Sequence, residues 1–235
     1  MTVRQPVRPL DALVALRKLL DDPDDTEQAF RVVRALDGHQ AGRFLERFRA
    51  SPDGARLLRE RPSLLAALSD RDALRRLPEG SLGRAYLAFV EREGITADGL
   101  VEVSQTGDRI LSDRDFGFLA DRMRDSHDLF HVVTGYRTDL IGEASVLSFT
   151  AAQTESPGTA LLVAGGFVRS FGFRPEVGRT ARRQIRAAWR RGKRAEWLIA
   201  APWERLLERP LQEVRLRYRL GPAPVYAPLR VADAA

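Results

Sequence analysis

Cysteine is absent from this chain of 235 residues, which excludes disulfides, thiolate metal sites and a cysteine nucleophile together. The absence fits a reducing cytosol. Lysine is nearly absent as well: only Lys18 and Lys193 occur, so arginine carries almost all the positive charge behind a net +6. No long hydrophobic run is present. The longest apolar stretch, 160–168, holds two glycines and is too short to span a bilayer. Residues 1–25 lack the unbroken apolar run of a secretory signal. A Gly-x-Ser-x-Gly elbow and a Gly-rich phosphate loop are both missing, which removes the common serine hydrolases and P-loop enzymes. Strand signals are scarce, with one short candidate at 100–103.

What remains is a helical pattern. A hydrophobic fraction of 44% with 30% charged residues is ordinary for a globular chain long enough to bury a core. Apolar spacing predicts helices over 10–20, 26–36, 41–50, 52–60 and 63–68. Ser81 is a fitting N-cap for a helix ending at Gly94, and Ser112 or Asp113 for a long one running to Thr134 and closed by Gly135. Thr138 or Asp139 caps the next, which ends before Pro157. An apolar stretch over 159–173, an Arg-rich helix and a last helical segment over 203–220 follow. The reading is an all-α fold, a single helical domain. A helical segment over 1–70 packs on a helical core over 71–220, and 221–235 forms an extended tail.

The chemistry gathers at His127-Asp128-Leu129-Phe130-His131, followed after eleven residues by Glu143. Histidines four apart share a helix face, so both imidazoles can reach one ion. They continue the apolar stripe of Phe116, Leu119, Met123 and Phe130, which turns them inward. A short loop after Gly135 would bring Glu143 back on an antiparallel helix. Its carboxylate would add the oxygen ligand a divalent ion takes. Asp128 can ligate directly or orient an imidazole. The alternative is a pair of core histidines hydrogen-bonded to Asp and Glu with no ion. A His-Glu-x-x-His protease needs glutamate where Asp128 stands. The HD phosphohydrolases need further histidines, and His39 after Gly38 is the only other one. The basic run 179–194 can face phosphates of nucleic acid or anionic lipid, or be a solvated helix face. No aromatics interleave with it as stacking platforms, which argues against specific nucleic-acid binding. Trp189, Trp197 and Trp203 read equally as core or as interfacial anchors.

These residues resemble the Coq-four family of ubiquinone (coenzyme Q) biosynthesis proteins. The likeness rests on Leu77-Pro78 with Gly80, Gly83-Arg84-Ala85-Tyr86, Arg122, His127-Asp128-x-x-His131, Thr134-Gly135 and Gly142-Glu143. A weaker match covers Trp203-Glu204, Pro210-Leu211 and Val214-Arg215. The resemblance implies a mostly helical fold and a divalent metal, usually zinc, held by His127, Asp128, His131 and Glu143. It further implies a hydrophobic pocket for a polyprenyl chain and peripheral attachment to the cytoplasmic membrane from the cytoplasmic side. The implied activity is oxidative decarboxylation with hydroxylation at C1 of the prenylated 4-hydroxybenzoate ring. The implied alternative is a lipid-binding scaffold for the other ubiquinone biosynthesis enzymes. Expected partners are therefore a polyprenylated aromatic precursor, an anionic membrane surface and those enzymes; a homodimer stays open. Zinc has no redox chemistry, so direct oxidation would call for iron or another transition metal. The sequence assigns no residue a catalytic role beyond ligation. It departs from the family pattern at Ala144-Ser145-Val146-Leu147-Ser148, which is smaller and less charged than expected, and in the basic run.

Overall fold

The computed structural model describes residues 6–23, 25–97 and 113–229. Among the described residues there is no strand, and the chain is all-α. The first helices are α1 (Pro9–Asp21), α2 (Thr26–Leu36), α3 (Ala41–Ala50), α4 (Pro52–Glu60), α5 (Leu64–Ser69), α6 (Arg71–Arg76) and α7 (Leu82–Glu93). After them come α8 (Arg114–Asp125), α9 (His127–Thr134), α10 (Leu140–Thr154), α11 (Pro157–Arg169), α12 (Pro175–Arg194), α13 (Trp203–Leu206) and α14 (Leu211–Arg217). The strand expected at 100–103 lies outside the described residues, as does Ser112.

Local sequence explains most boundaries. The Ser81 hydroxyl accepts from the Arg84 amide at 3.3 Å and opens α7. Asp113 accepts from the Asp115 amide at 2.8 Å and opens α8. Three expectations are corrected. The single helix predicted up to Thr134 is two, because the chain steps at Ser126 (ψ −3°). There the hydroxyl turns back onto the Met123 carbonyl at 3.1 Å, competing with the helical ladder. Pro157 does more than end a helix: it occupies the first turn of α11, where its missing N–H costs nothing, behind a Ser156 cap. The last segment is two short helices, α13 ending at Leu206 and α14 opening directly behind Pro210.

The contacts gather into two compact units, each assembled from separated stretches of chain. The first comprises Met1–Gly42, Tyr136–Ala195 and Ala223–Ala235; the second, Arg43–Gly135 and Glu196–Pro222. In the first, α1 and α2 close on α11 around Ala12, Ala15, Leu16, Val32, Ala35 and Leu162. Gly165 lies against Leu16, so it serves helix contact, not phosphate binding. In that unit α10 packs along α12. The small residues of α10 allow this. Ser145 and Ser148 are buried, the Ser148 hydroxyl donates to the Ile185 carbonyl at 2.8 Å, and the Gln153 amide to the Gly192 carbonyl at 2.6 Å.

In the second unit α9 packs against α7, α8 and α14. Leu129, Phe130 and Val133 are buried, as are Leu82, Tyr86 and Phe89 of α7. Each fully buried side chain of this size contributes roughly 1.5–3 kcal/mol. Trp203 is wholly buried, its ring 6.0 Å from that of Phe130 and 6.3 Å from that of Tyr218. Trp197 meets Phe44 and Phe48 edge-on, leaving only Trp189 of the three tryptophans exposed.

Candidate metal centre

Helix α9 is eight residues long, and the two histidines stand at its start and in its last turn. Their Nε2 atoms lie 3.2 Å apart. Two nitrogens held by one tetrahedral ion at about 2.0–2.1 Å sit roughly 3.3 Å apart, so the pair is spaced to share an ion. Without one, a single proton must lie between them. His131 is 1% exposed, whereas His127 is half-buried. The inward orientation expected of both thus holds fully for His131 and in part for His127. The His131 ring stacks on Phe89 at 5.6 Å between centroids with 21° between planes, which fixes its tilt. Nothing in the spacing of the sequence marked Phe89 for this. Asp128 follows His127 and is half-buried.

Both ends of this short helix are tied. At the C-terminus Gly135 adopts a left-handed conformation (φ 78°) and its N–H reaches the His131 carbonyl at 2.7 Å. The Arg215 guanidinium donates to the next two carbonyls, Val132 and Val133, each at 3.0 Å. In α8, Arg122 is buried and holds both carboxylate oxygens of Glu204, at 2.6 and 2.8 Å, together with the Ala201 carbonyl at 2.9 Å. Arg122, Glu204 and Arg215 all belong to the matched motif residues, and the folded chain gives them structural partners.

Glu143 lies in the first turn of α10, half-buried. The start of that helix is pinned by the C-terminal tail. Asp139 caps it by accepting from the Ile141 amide at 3.1 Å, and accepts further from the Leu229 amide at 2.9 Å and the Tyr226 hydroxyl at 3.0 Å. Burial, with Asp139 alongside, pushes the Tyr226 hydroxyl above the ordinary phenol range, so it stays protonated and donates. Tyr226 also accepts the Arg137 N–H at 3.0 Å. A Cβ at position 142 would strike the Arg137 carbonyl and the Tyr226 hydroxyl, so this corner requires Gly142 before Glu143. The tail read as extended is therefore irregular but anchored, with Leu229 buried against Ile141 and Ala181.

Comparison with known proteins decides the family. The family described as coenzyme Q (ubiquinone) biosynthesis protein Coq4 matches residues 20–224. The chain belongs to the Coq4 family. It is 32% identical to a mitochondrial Coq4 homologue of Danio rerio, over 83% of this chain and 69% of that one. It is also 32% identical to the mitochondrial Coq4 of Pyricularia oryzae, over 74% of this chain but only 55% of the relative. In fold it resembles the crystal structure of a protein described as a ubiquinone biosynthesis protein from Nostoc punctiforme. That match has a TM-score of 0.68 and 25% identity, covering 92% of this chain and 100% of the other. The chain spans a little over half the length of the Pyricularia oryzae relative and about two thirds of that of the Danio rerio one. Among its described residues no helix is long and apolar enough to cross a membrane.

Proposed function

We propose that the chain acts on the prenylated 4-hydroxybenzoate ring, replacing the C1 carboxylate by a hydroxyl at a divalent metal held by His127, Asp128, His131 and Glu143. The observation that supports this most is the 3.2 Å separation of the two imidazole nitrogens, one of them buried. An ion there would supply a Lewis-acidic position for the ring carboxylate, and a redox-active ion such as iron would also couple the reaction to dioxygen. The residues do the positioning. Phe89 fixes the His131 ring and excludes water from one face, and the Asp139 cap holds the turn that carries Glu143. Glu143→Ala is expected to stop quinone production and accumulate the carboxylated prenyl-phenol, as read by mass spectrometry of lipid extracts. Undiminished quinone with a folded variant would instead favour the scaffold reading.

The prenyl tail of such a substrate keeps it in a bilayer, at about 0.8 kcal/mol per buried CH₂. The chain therefore works at a membrane surface, and its first unit offers a suitable face. On α1, Leu10 (77% exposed), Leu13 and Val14 point outward, and so do Val168 (67%) at the end of α11 and Phe171 (66%) in the turn that follows it. Cations border this apolar set: Arg17 and Lys18 on α1, and Arg182, whose guanidinium lies 4.1 Å over the Phe171 ring. Apolar anchors among cations suit an anionic lipid surface. The basic helix α12 presents Arg179, Arg183, Arg186 and Arg190 outward, so it extends the same positive field. Phe171→Asp is expected to reduce co-sedimentation with phosphatidylglycerol-containing vesicles at least several-fold, with no loss of folding. Equal sedimentation of the variant, or of the parent with purely zwitterionic vesicles, would rule out this face.

A further inference from the structure

We infer that Arg215 is a positioning residue for the histidine pair, setting the His127–His131 separation by closing the C-terminal turn of α9. This rests on the metal reading above only for its ligand; the geometry stands without it. A helix of eight residues is too short to hold itself together, because each end leaves backbone groups without intrahelical partners. Four carbonyls, those of residues 131–134, face that problem at the C-terminus. Gly135 satisfies His131, and Arg215 satisfies Val132 through Nη2 and Val133 through Nε, at 3.0 Å each. One side chain from α14 thus takes two of the four, and brings a positive charge to the negative end of the helix dipole.

His131 stands in this last turn and His127 in the first, with a single turn of backbone between them. If the last turn loosens, His131 changes rise and azimuth relative to His127, and their 3.2 Å separation is lost. The same geometry accounts for arginine at this position. Two parallel N–H donors span adjacent carbonyls, whereas a lysine ammonium offers a point charge and cannot hold both in fixed register. Arg215 thus explains the Val214-Arg215 part of the sequence pattern, which the metal ligands themselves leave unexplained.

The test compares the full chain with Arg215→Lys, and with Leu162→Ala as a destabilised control in the core of the first unit. Two quantities are read: zinc affinity by competition with a chromophoric chelator, and exchange of the amides of residues 131–135 in the metal-free protein. Arg215→Lys is expected to keep its helical circular dichroism, to bind zinc roughly 10–100-fold more weakly, as loss of an outer partner does, and to exchange those amides faster. Leu162→Ala should lower the melting temperature without changing either quantity. Unchanged zinc affinity in Arg215→Lys overturns the inference. If the parent chain binds no zinc, the zinc form of the metal reading fails, and exchange alone then decides: unchanged exchange in Arg215→Lys overturns the positioning role, and faster exchange upholds it.

Discussion

If the proposed metal centre is right, replacing His131 by alanine is expected to abolish divalent-ion binding and quinone formation while the helices stay folded. His131 is the buried member of the pair, so no water can take over its ligand position at the same geometry. Losing an outer partner of a metal ligand costs roughly 10–100-fold in affinity, and losing the ligand itself should exceed that. The fold has less to lose. Removing one ring from its stack on Phe89 is a large-to-small change in one turn of one helix, worth roughly 1–3 kcal/mol. His131→Gln keeps most of the volume and a polar tip but has no imidazole. It should match the alanine variant in metal content and exceed it in stability. Metal content by elemental analysis, quinone by lipid mass spectrometry and helicity by circular dichroism check the three parts separately.

Arg122→Ala is expected to give the largest loss of stability of any polar substitution in the second unit. The Arg122 side chain is 2% exposed and that of Glu204 19%, so deletion of the guanidinium leaves a largely buried carboxylate without its partner. It also empties the space the arginine filled and frees the Ala201 carbonyl. Breaking a buried pair from one side costs about 3–5 kcal/mol. At roughly 2–4 °C per kcal/mol for a chain of this size, the melting temperature should fall by roughly 6–20 °C. The double replacement of Arg122 by Met and Glu204 by Leu removes both charges at similar volume and should recover most of that loss. A single-variant loss below about 1 kcal/mol in urea unfolding would contradict this account of the pair.

Much of the fold was legible because local signals and the folded chain agree. Ser81 and Asp113 cap as their residue types demand, and Gly94 and Gly135 end helices with positive φ. The apolar periodicity over 10–20 and 26–36 becomes α1 and α2. The step at Ser126 was not legible, because a serine inside an apolar stripe carries no sign of whether its hydroxyl will turn back onto the helix. The opening of α11 was not legible for a related reason: proline marks a boundary without saying which side the helix lies on. At the site, the four-residue spacing of His127 and His131 gave the pair directly. The residues that hold the pair in place were not readable as such. Phe89 lies 42 positions before His131, and Arg215 lies 82 and 83 positions from the carbonyls it closes. Separations of that length become contacts only through the folded chain. The small residues at 144–148, a departure from the family pattern, found their reason in the close packing of α10 on α12.

The most direct measurement of the central claim is elemental analysis of the purified full chain, run beside His131→Ala under the same metal supply. A shared ion between His127 and His131 predicts close to one divalent transition metal per parent chain and background in the variant. Equal metal content in the two proteins, whether full or absent, would contradict it.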